Sequence, residues 1–192
     1  MPRRNLEIDH LLEAMKRAGA ALRDADVDFL LGGGLACWAR GGPATDHDVD
    51  LMIRREGAEQ AAEAVAKAGM RVERPPEDWL IKAFNDDDTL VDLIFAPSSG
   101  PVDDGWFERA EDTEVSAMRM LVASLEDVMV AKLLALNEQE PDYRPVLEIA
   151  RTLREQIEWE QVRERTASSP FAKAFFTLGE ELGIVQRIRA GA

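Results

Sequence analysis

The chain is poor in cysteine and short of positive charge. Its one cysteine, Cys37, excludes an intrachain disulfide and suits a reducing compartment. It falls in a segment expected to be a buried helix, where an inert core thiol fits better than a nucleophile. No apolar run reaches the roughly 20 residues of a membrane-spanning helix. Pro2-Arg3-Arg4 leads into charged, helix-forming sequence, so no secretory leader is expected and a cytoplasmic location is. Lys and Arg number 23 against 37 Asp and Glu, a net charge of −14. This shortage of basic groups argues against broad DNA or RNA binding, which needs a cationic footprint. It is compatible with a cationic small substrate or a local basic groove, and above all with a solubilising surface. There is no internal repeat and no low-complexity segment. A length of 192 residues suits one α/β domain, or a small catalytic domain with a helical appendage.

What the sequence does hold is concentrated between Phe29 and Met52. An apolar strand, Phe29–Leu31, runs into Gly32-Gly33-Gly34. Asp48 and Asp50 follow, separated by Val49. Another acid, Asp92, sits in the apolar run Val91–Phe95. Residues i and i+2 of a strand project from one face, so Asp48 and Asp50 point the same way while Val49, Leu51 and Ile53 face a core. Paired acids at that spacing suit a divalent-cation site. The plainer alternatives are a tight strand-to-helix turn for the glycines and solvated outward positions for the acids. The coincidence of both features favours the site.

These residues resemble the Gly-Gly…Asp-x-Asp…Asp signature of the DNA polymerase β-like nucleotidyltransferase superfamily. The resemblance covers roughly residues 25–96. It implies that Gly32, Gly33 and Gly34 receive a nucleoside triphosphate and that Asp48, Asp50 and Asp92 bind two Mg2+ ions. Many relatives carry a basic residue before the Thr that follows the glycine helix; here the segment reads Pro43-Ala44-Thr45-Asp46-His47. A second, weaker resemblance, from Ser124 to Tyr143, is to AbiEii-like nucleotidyltransferases, including mycobacterial toxins. It implies that Lys132 binds triphosphate and that Asp142 supports the site, and it brings a toxin–antitoxin role and a cognate antitoxin into consideration.

The expected class is α+β: a nucleotidyltransferase-like mixed sheet flanked by helices, followed by a C-terminal helical region. Residues 1–123 are expected to form the catalytic domain and residues 124–192 the helical region. Helices are expected over 5–25, 35–39, 56–68, 125–138, 142–156, 158–166 and 171–182. Strands are expected over 29–31, 49–53, 70–73, 79–84, 90–95, 113–115 and 118–122, and a loop over 96–105, with Trp106 and Phe107 packing near its end. Ser124 and Ser169-Pro170 carry helix-start signals, and Gly69 a stop.

Such a centre would transfer a nucleoside monophosphate from an NTP to an acceptor hydroxyl with release of pyrophosphate. The acceptor would be a small molecule, a tRNA or a protein. A nucleotide-binding or partner-binding module without catalysis is the alternative. Lys82 falls opposite Asp92 in a symmetric hairpin; it would contact phosphate or simply offset the acids. Lys132 would bind phosphate or snorkel along a helix. Arg40 would reach phosphate or the last carbonyls of its helix. His47 reads as a loop hydrogen-bonding residue, and Trp79 as a core residue rather than a base-stacking one.

Overall fold

The computed structural model describes residues 4–45 and 48–186. Helix α1 (Arg4–Asp24) precedes β1 (Phe29–Leu31) and the short α2 (Gly33–Trp38). Strand β2 (Asp48–Ile53) leads through a 3-10 turn into α3 (Ala58–Lys67), then β3 (Arg71–Glu73), β4 (Leu80–Phe84) and β5 (Leu90–Ile94). Next come α4 (Asp104–Arg109) and the hairpin β6 (Glu111–Val115) and β7 (Met118–Val122). Helices α5 (Leu125–Ala135), α6 (Arg144–Leu153), α7 (Trp159–Arg165) and α8 (Pro170–Glu181) complete the described chain. Among the described residues no helix is long and apolar enough to cross a membrane.

The strands form one mixed seven-stranded sheet in the order β3-β4-β5-β2-β1-β7-β6. At its centre β2 runs antiparallel to β1 and parallel to β5. Alternation sorts the residues of β2: Val49, Leu51 and Ile53 are fully buried, whereas Asp48 and Asp50 stay partly accessible. Helix α1 covers the apolar face, with Gly19 close against the Phe29 ring in the row that holds Ile53. The opposite face of β2 and β5 looks into a cleft whose far wall is α5.

The end signals act as local chemistry dictates. Gly69 adopts φ +86 after α3, and the next amide, Met70 N–H, donates back to the Val65 carbonyl, closing the helix. Ser124 Oγ accepts from Asp127 N–H at 3.1 Å, and Ser169 Oγ accepts from Ala172 N–H at 3.2 Å ahead of Pro170. Two expectations need correction. The segment expected as loop up to residue 105 contains the start of α4, whose Trp106 is buried at 4% exposure. One hydrophobic anchor ordered a turn that composition alone marked as irregular. Trp79 lies in the turn before β4, outside the strand, and is 39% exposed, so it is not a core residue.

Candidate active site

Register assembles the acids. In the parallel β2–β5 pair Asp50 stands beside Asp92, and in the antiparallel β4–β5 pair Lys82 stands beside Asp92. Asp48 follows two residues from Asp50 on the same face. Each of Asp48, Asp50 and Asp92 offers a carboxylate oxygen within 4.8 Å of the others. Lys82 Nζ donates to the Asp92 carboxylate at 3.2 Å, so the positional guess from the hairpin holds and the lysine's first partner is an acid.

Burial and mutual repulsion weigh against full ionisation of this cluster. Burial, and then the neighbouring Asp48 carboxylate, push the Asp50 carboxyl up to about 7, with Lys132 and Lys82 only partly offsetting them. Burial also raises Asp92, against the opposing hydrogen bond from Lys82. Three hard oxygen donors so close together fit Mg2+, which prefers carboxylates and water.

The glycine segment is built against the same acids. Gly32 N–H donates to the Asp50 carbonyl at 2.8 Å. Gly33 has φ +52, and a Cβ there would lie 1.6 Å from Asp50 Oδ2. A Cβ on Gly34 would fall 2.6 Å from Thr45 Oγ1. Glycine at position 33 thus answers both a left-handed backbone and a carboxylate pressed onto its Cα.

Two cavities meet at Lys132. The larger, about 630 Å³, holds the acids and Gly33 on its floor, with Trp79 and Trp106 on one side and the α5 residues Val128, Ala131, Lys132 and Ala135 on the other. The smaller, about 400 Å³, is lined by Gly34, Thr45, Lys132 and Arg144 among others. The structure therefore brings together Asp48, Asp50, Asp92, Gly33, Lys132 and, through Asp92, Lys82. Gly32 is buried just behind them.

Other candidates lie elsewhere. Asp142 is exposed outside both cavities; its carboxylate accepts from Arg144 N–H at 3.0 Å and pairs with the Arg144 guanidinium at 3.3 Å. Arg40 donates to the Ala36 and Val122 carbonyls and pairs with Glu111, which is the helix-end alternative and not a phosphate contact. Cys37 is fully buried, and desolvation pushes its thiol up to about 11, as an inert core thiol requires. His47 and Asp46 lie outside the described residues.

Sequence reasoning missed Trp79 as a cleft residue, because the chain bends before β4 and the two-residue period does not reach it. It also missed Arg144 and Thr45. Arg144 approaches Lys132 only through the fold of α6 onto α5, which no local pattern encodes.

The comparisons with known proteins agree with this geometry. The family model for aminoglycoside-2''-adenylyltransferase matches residues 14–140, a span that contains the glycines, the acids and Lys132. The chain belongs to that family. It is a nucleotidyltransferase, and its α+β fold is that of the polymerase β-like superfamily. The crystal structure of ANT(2'')-Ia in complex with adenylyl-2''-tobramycin is 17% identical, with a TM-score of 0.62, covering 85% of this chain and 97% of that one. The solution structure of the antibiotic-resistance factor ANT(2'')-Ia is also 17% identical, with a TM-score of 0.60, covering 88% and 95%. A nucleotidyltransferase of Thermotoga maritima is 20% identical, with a TM-score of 0.53, covering 81% and 94%. At these identities the structural likeness speaks to the fold. No curated protein sequence matches the chain.

Proposed function

We propose that the chain transfers the adenylyl group of ATP to a hydroxyl of a small-molecule acceptor, with Mg2+ as cofactor and pyrophosphate as the second product. The observation that carries this reading is the meeting of three carboxylates within 4.8 Å in the lining of a cleft, with that of Asp50 pressed against Gly33.

Asp48, Asp50 and Asp92 would hold two Mg2+ ions, which when bound supply a lowered pKa at the acceptor hydroxyl and stabilise charge on the leaving oxygens. The chain's own groups do the rest. Gly33 lines the larger cavity and Gly34 the smaller one, so that without side chains their backbone is open to the polyphosphate. Lys132 and Arg144, lining the smaller cavity beyond Gly34, suit the charge of the departing pyrophosphate. The acceptor oxygen forms a bond to the α-phosphorus, the bond from the α-phosphorus to the α–β bridging oxygen breaks, and pyrophosphate leaves with that electron pair. The hydroxyl proton passes to the Asp92 carboxylate, whose raised pKa makes it a better base than an exposed aspartate. Lys82 orients that carboxylate.

A tRNA or protein acceptor, and with it a toxin role with an antitoxin partner, ranks second. The toxin-like resemblance contributes Lys132 to the cleft but leaves Asp142 outside it. A nucleic acid would call for a cationic track, and the cations at the cavities are accounted for by phosphates. The test is product mass. Purified protein, ATP, Mg2+ and an acceptor panel should yield an acceptor heavier by one AMP unit and pyrophosphate in equal amount. Addition of a single phosphate, with ADP released, would instead make the chain a kinase and overturn the reading.

A further inference from the structure

Past its catalytic acid, β5 runs into an apolar stripe. Asp92, Ile94 and Ala96 alternate along the chain and all line the larger cavity, so they share one face. Ile94 pairs with Leu80 of β4. The Trp79 carbonyl, one residue earlier, accepts from Phe95 N–H at 3.0 Å and Ala96 N–H at 3.2 Å. These bonds hold Trp79 beside Ile94 and Ala96, and Pro97 continues the same lining. At the usual strand rise the stripe begins about 7 Å from Asp92.

The Trp79 side chain is 39% exposed, more than any other aromatic side chain among the described residues. Among those residues neither a ring nor a cation stacks on it, whereas Phe84, Phe95, Phe107 and Phe176 each lie under an arginine. Trp106 also lines the cavity but is buried at 4% exposure, so it has little face to offer.

The two substrates of an aminoglycoside adenylyltransferase ask different things of such a wall. The acceptor's rings are saturated and carry ammonium groups, which on burial call for carboxylates. Among the described residues, the carboxylates lining this cavity are Asp48, Asp50 and Asp92, and the stripe itself adds none. Adenine is flat, uncharged and aromatic, and it stacks on an indole through its π face. The interval between Asp92 and Ile94 leaves room for the ribose that joins the α-phosphate to the base.

We propose that Trp79 is the base platform of this site, its exposed indole face stacking on the adenine of ATP. The proposal rests on the adenylyl-transfer reading, which supplies the nucleotide. Trp79 is then a residue of nucleotide affinity and takes no part in the bond changes at phosphorus.

The experiment titrates the full-length protein with α,β-methylene-ATP and, separately, with inorganic tripolyphosphate, both with Mg2+. Wild type, Trp79→Phe and Trp79→Ala are compared. Trp79→Ala should weaken α,β-methylene-ATP by at least about fivefold, the lower end for one base on one aromatic ring. Trp79→Phe, which keeps a ring, should weaken it by less than about threefold. Tripolyphosphate has no base and should bind all three proteins alike. Tobramycin, added at saturating α,β-methylene-ATP, should bind wild type and Trp79→Ala alike. A second readout needs no alanine variant: the nucleotide analogue should quench indole fluorescence more in wild type than in Trp79→Phe. Equal affinity of wild type and Trp79→Ala for α,β-methylene-ATP, equal quenching, a parallel loss for tripolyphosphate, or a loss confined to tobramycin overturns the proposal and leaves adenylyl transfer standing. Failure of wild type to bind α,β-methylene-ATP with Mg2+ is a different result: it removes the adenylyl-transfer reading, and the base platform with it.

Discussion

Asp50 is squeezed by a like charge, by desolvation and by the backbone of Gly33, and each pressure has a measurable consequence. An acid whose folded-state pKa is raised binds a proton in the folded state that the unfolded chain has already released. Between the unfolded value of about 4 and the folded value of about 7, stability of the metal-free protein therefore falls as pH rises. Asp50→Asn removes this penalty. The metal-free variant should melt above wild type at about pH 8, and the gap should shrink by more than half at about pH 5 and close below about pH 4. Saturating Mg2+ should erase it at the higher pH. Equal melting temperatures at both pH values would contradict the assigned environment. Gly33 gives a second test at this scale. Gly33→Ala and Gly41→Ala both force alanine into positive φ, +52 and +85, at a cost of about 1–2 kcal/mol. Only at position 33 does the added carbon meet Asp50; at position 41 it meets nothing within 4 Å. Both variants should lose stability in thermal melts, but only Gly33→Ala should lose transfer. Transfer at the Gly41→Ala level in both would show that the contact with Asp50 is immaterial.

At the scale of elements, α5 deserves the closest look because it carries Lys132 into both cavities. Its first turn is fixed by Asp127, fully buried, which accepts from Ser124 Oγ at 2.8 Å, from Arg109 of α4 at 2.9 Å and from Arg165 of α7 at 2.5 Å. One carboxylate thus ties three helices at the wall of the cleft. Removing it leaves two guanidiniums unpaired, although both are partly solvated, at 40% and 31% exposure, which moderates the loss. Asp127→Ala should destabilise the fold by about 2–3 kcal/mol, read from denaturant midpoints at unchanged slope. A loss under about 0.5 kcal/mol would mark the cluster as ornamental. Lys132→Met should lower affinity for α,β-methylene-ATP while sparing stability; unchanged affinity would return Lys132 to its role as a snorkelling residue. Most elements were legible beforehand, because period-two strands and capped helices declare themselves locally: β1 matches its expected bounds, and Ser124, Ser169 and Gly69 act as their types imply. The Asp127 cluster and α4 were not legible. Both depend on partners far along the chain, such as Arg165, that no local period reveals.

For the whole molecule, the acidic balance and the active cleft must be kept apart. The net charge of −14 suggested compatibility with a cationic substrate, yet most Asp and Glu side chains of the described residues are exposed and lie outside the cleft. The cleft's own acids are the cluster at its floor. Composition could not make that distinction, because it counts charges without placing them. The candidate site was legible to the extent that it lies within one sheet: Asp48, Asp50, Asp92 and Lys82 follow from strand parity and hairpin register. The far wall, the placement of Trp79 and the displacement of Asp142 depend on how helices and turns pack against that sheet, which the chain encodes only through many distributed contacts.

The central claim, that these carboxylates form one metal-dependent nucleotidyl-transfer centre, is tested most directly by label transfer. Wild type and Asp48→Asn, with matched melting temperatures, are given Mg2+, an accepted alcohol and ATP labelled at either the α- or the γ-phosphate. Wild type should move the α-label and not the γ-label to the acceptor, and only with Mg2+ present. Asp48→Asn should lose more than about a hundredfold in rate, since even residues that merely support metal ligands typically cost 10–100-fold. Near-normal α-label transfer by Asp48→Asn, or by wild type after chelation of all divalent metal, would contradict the account.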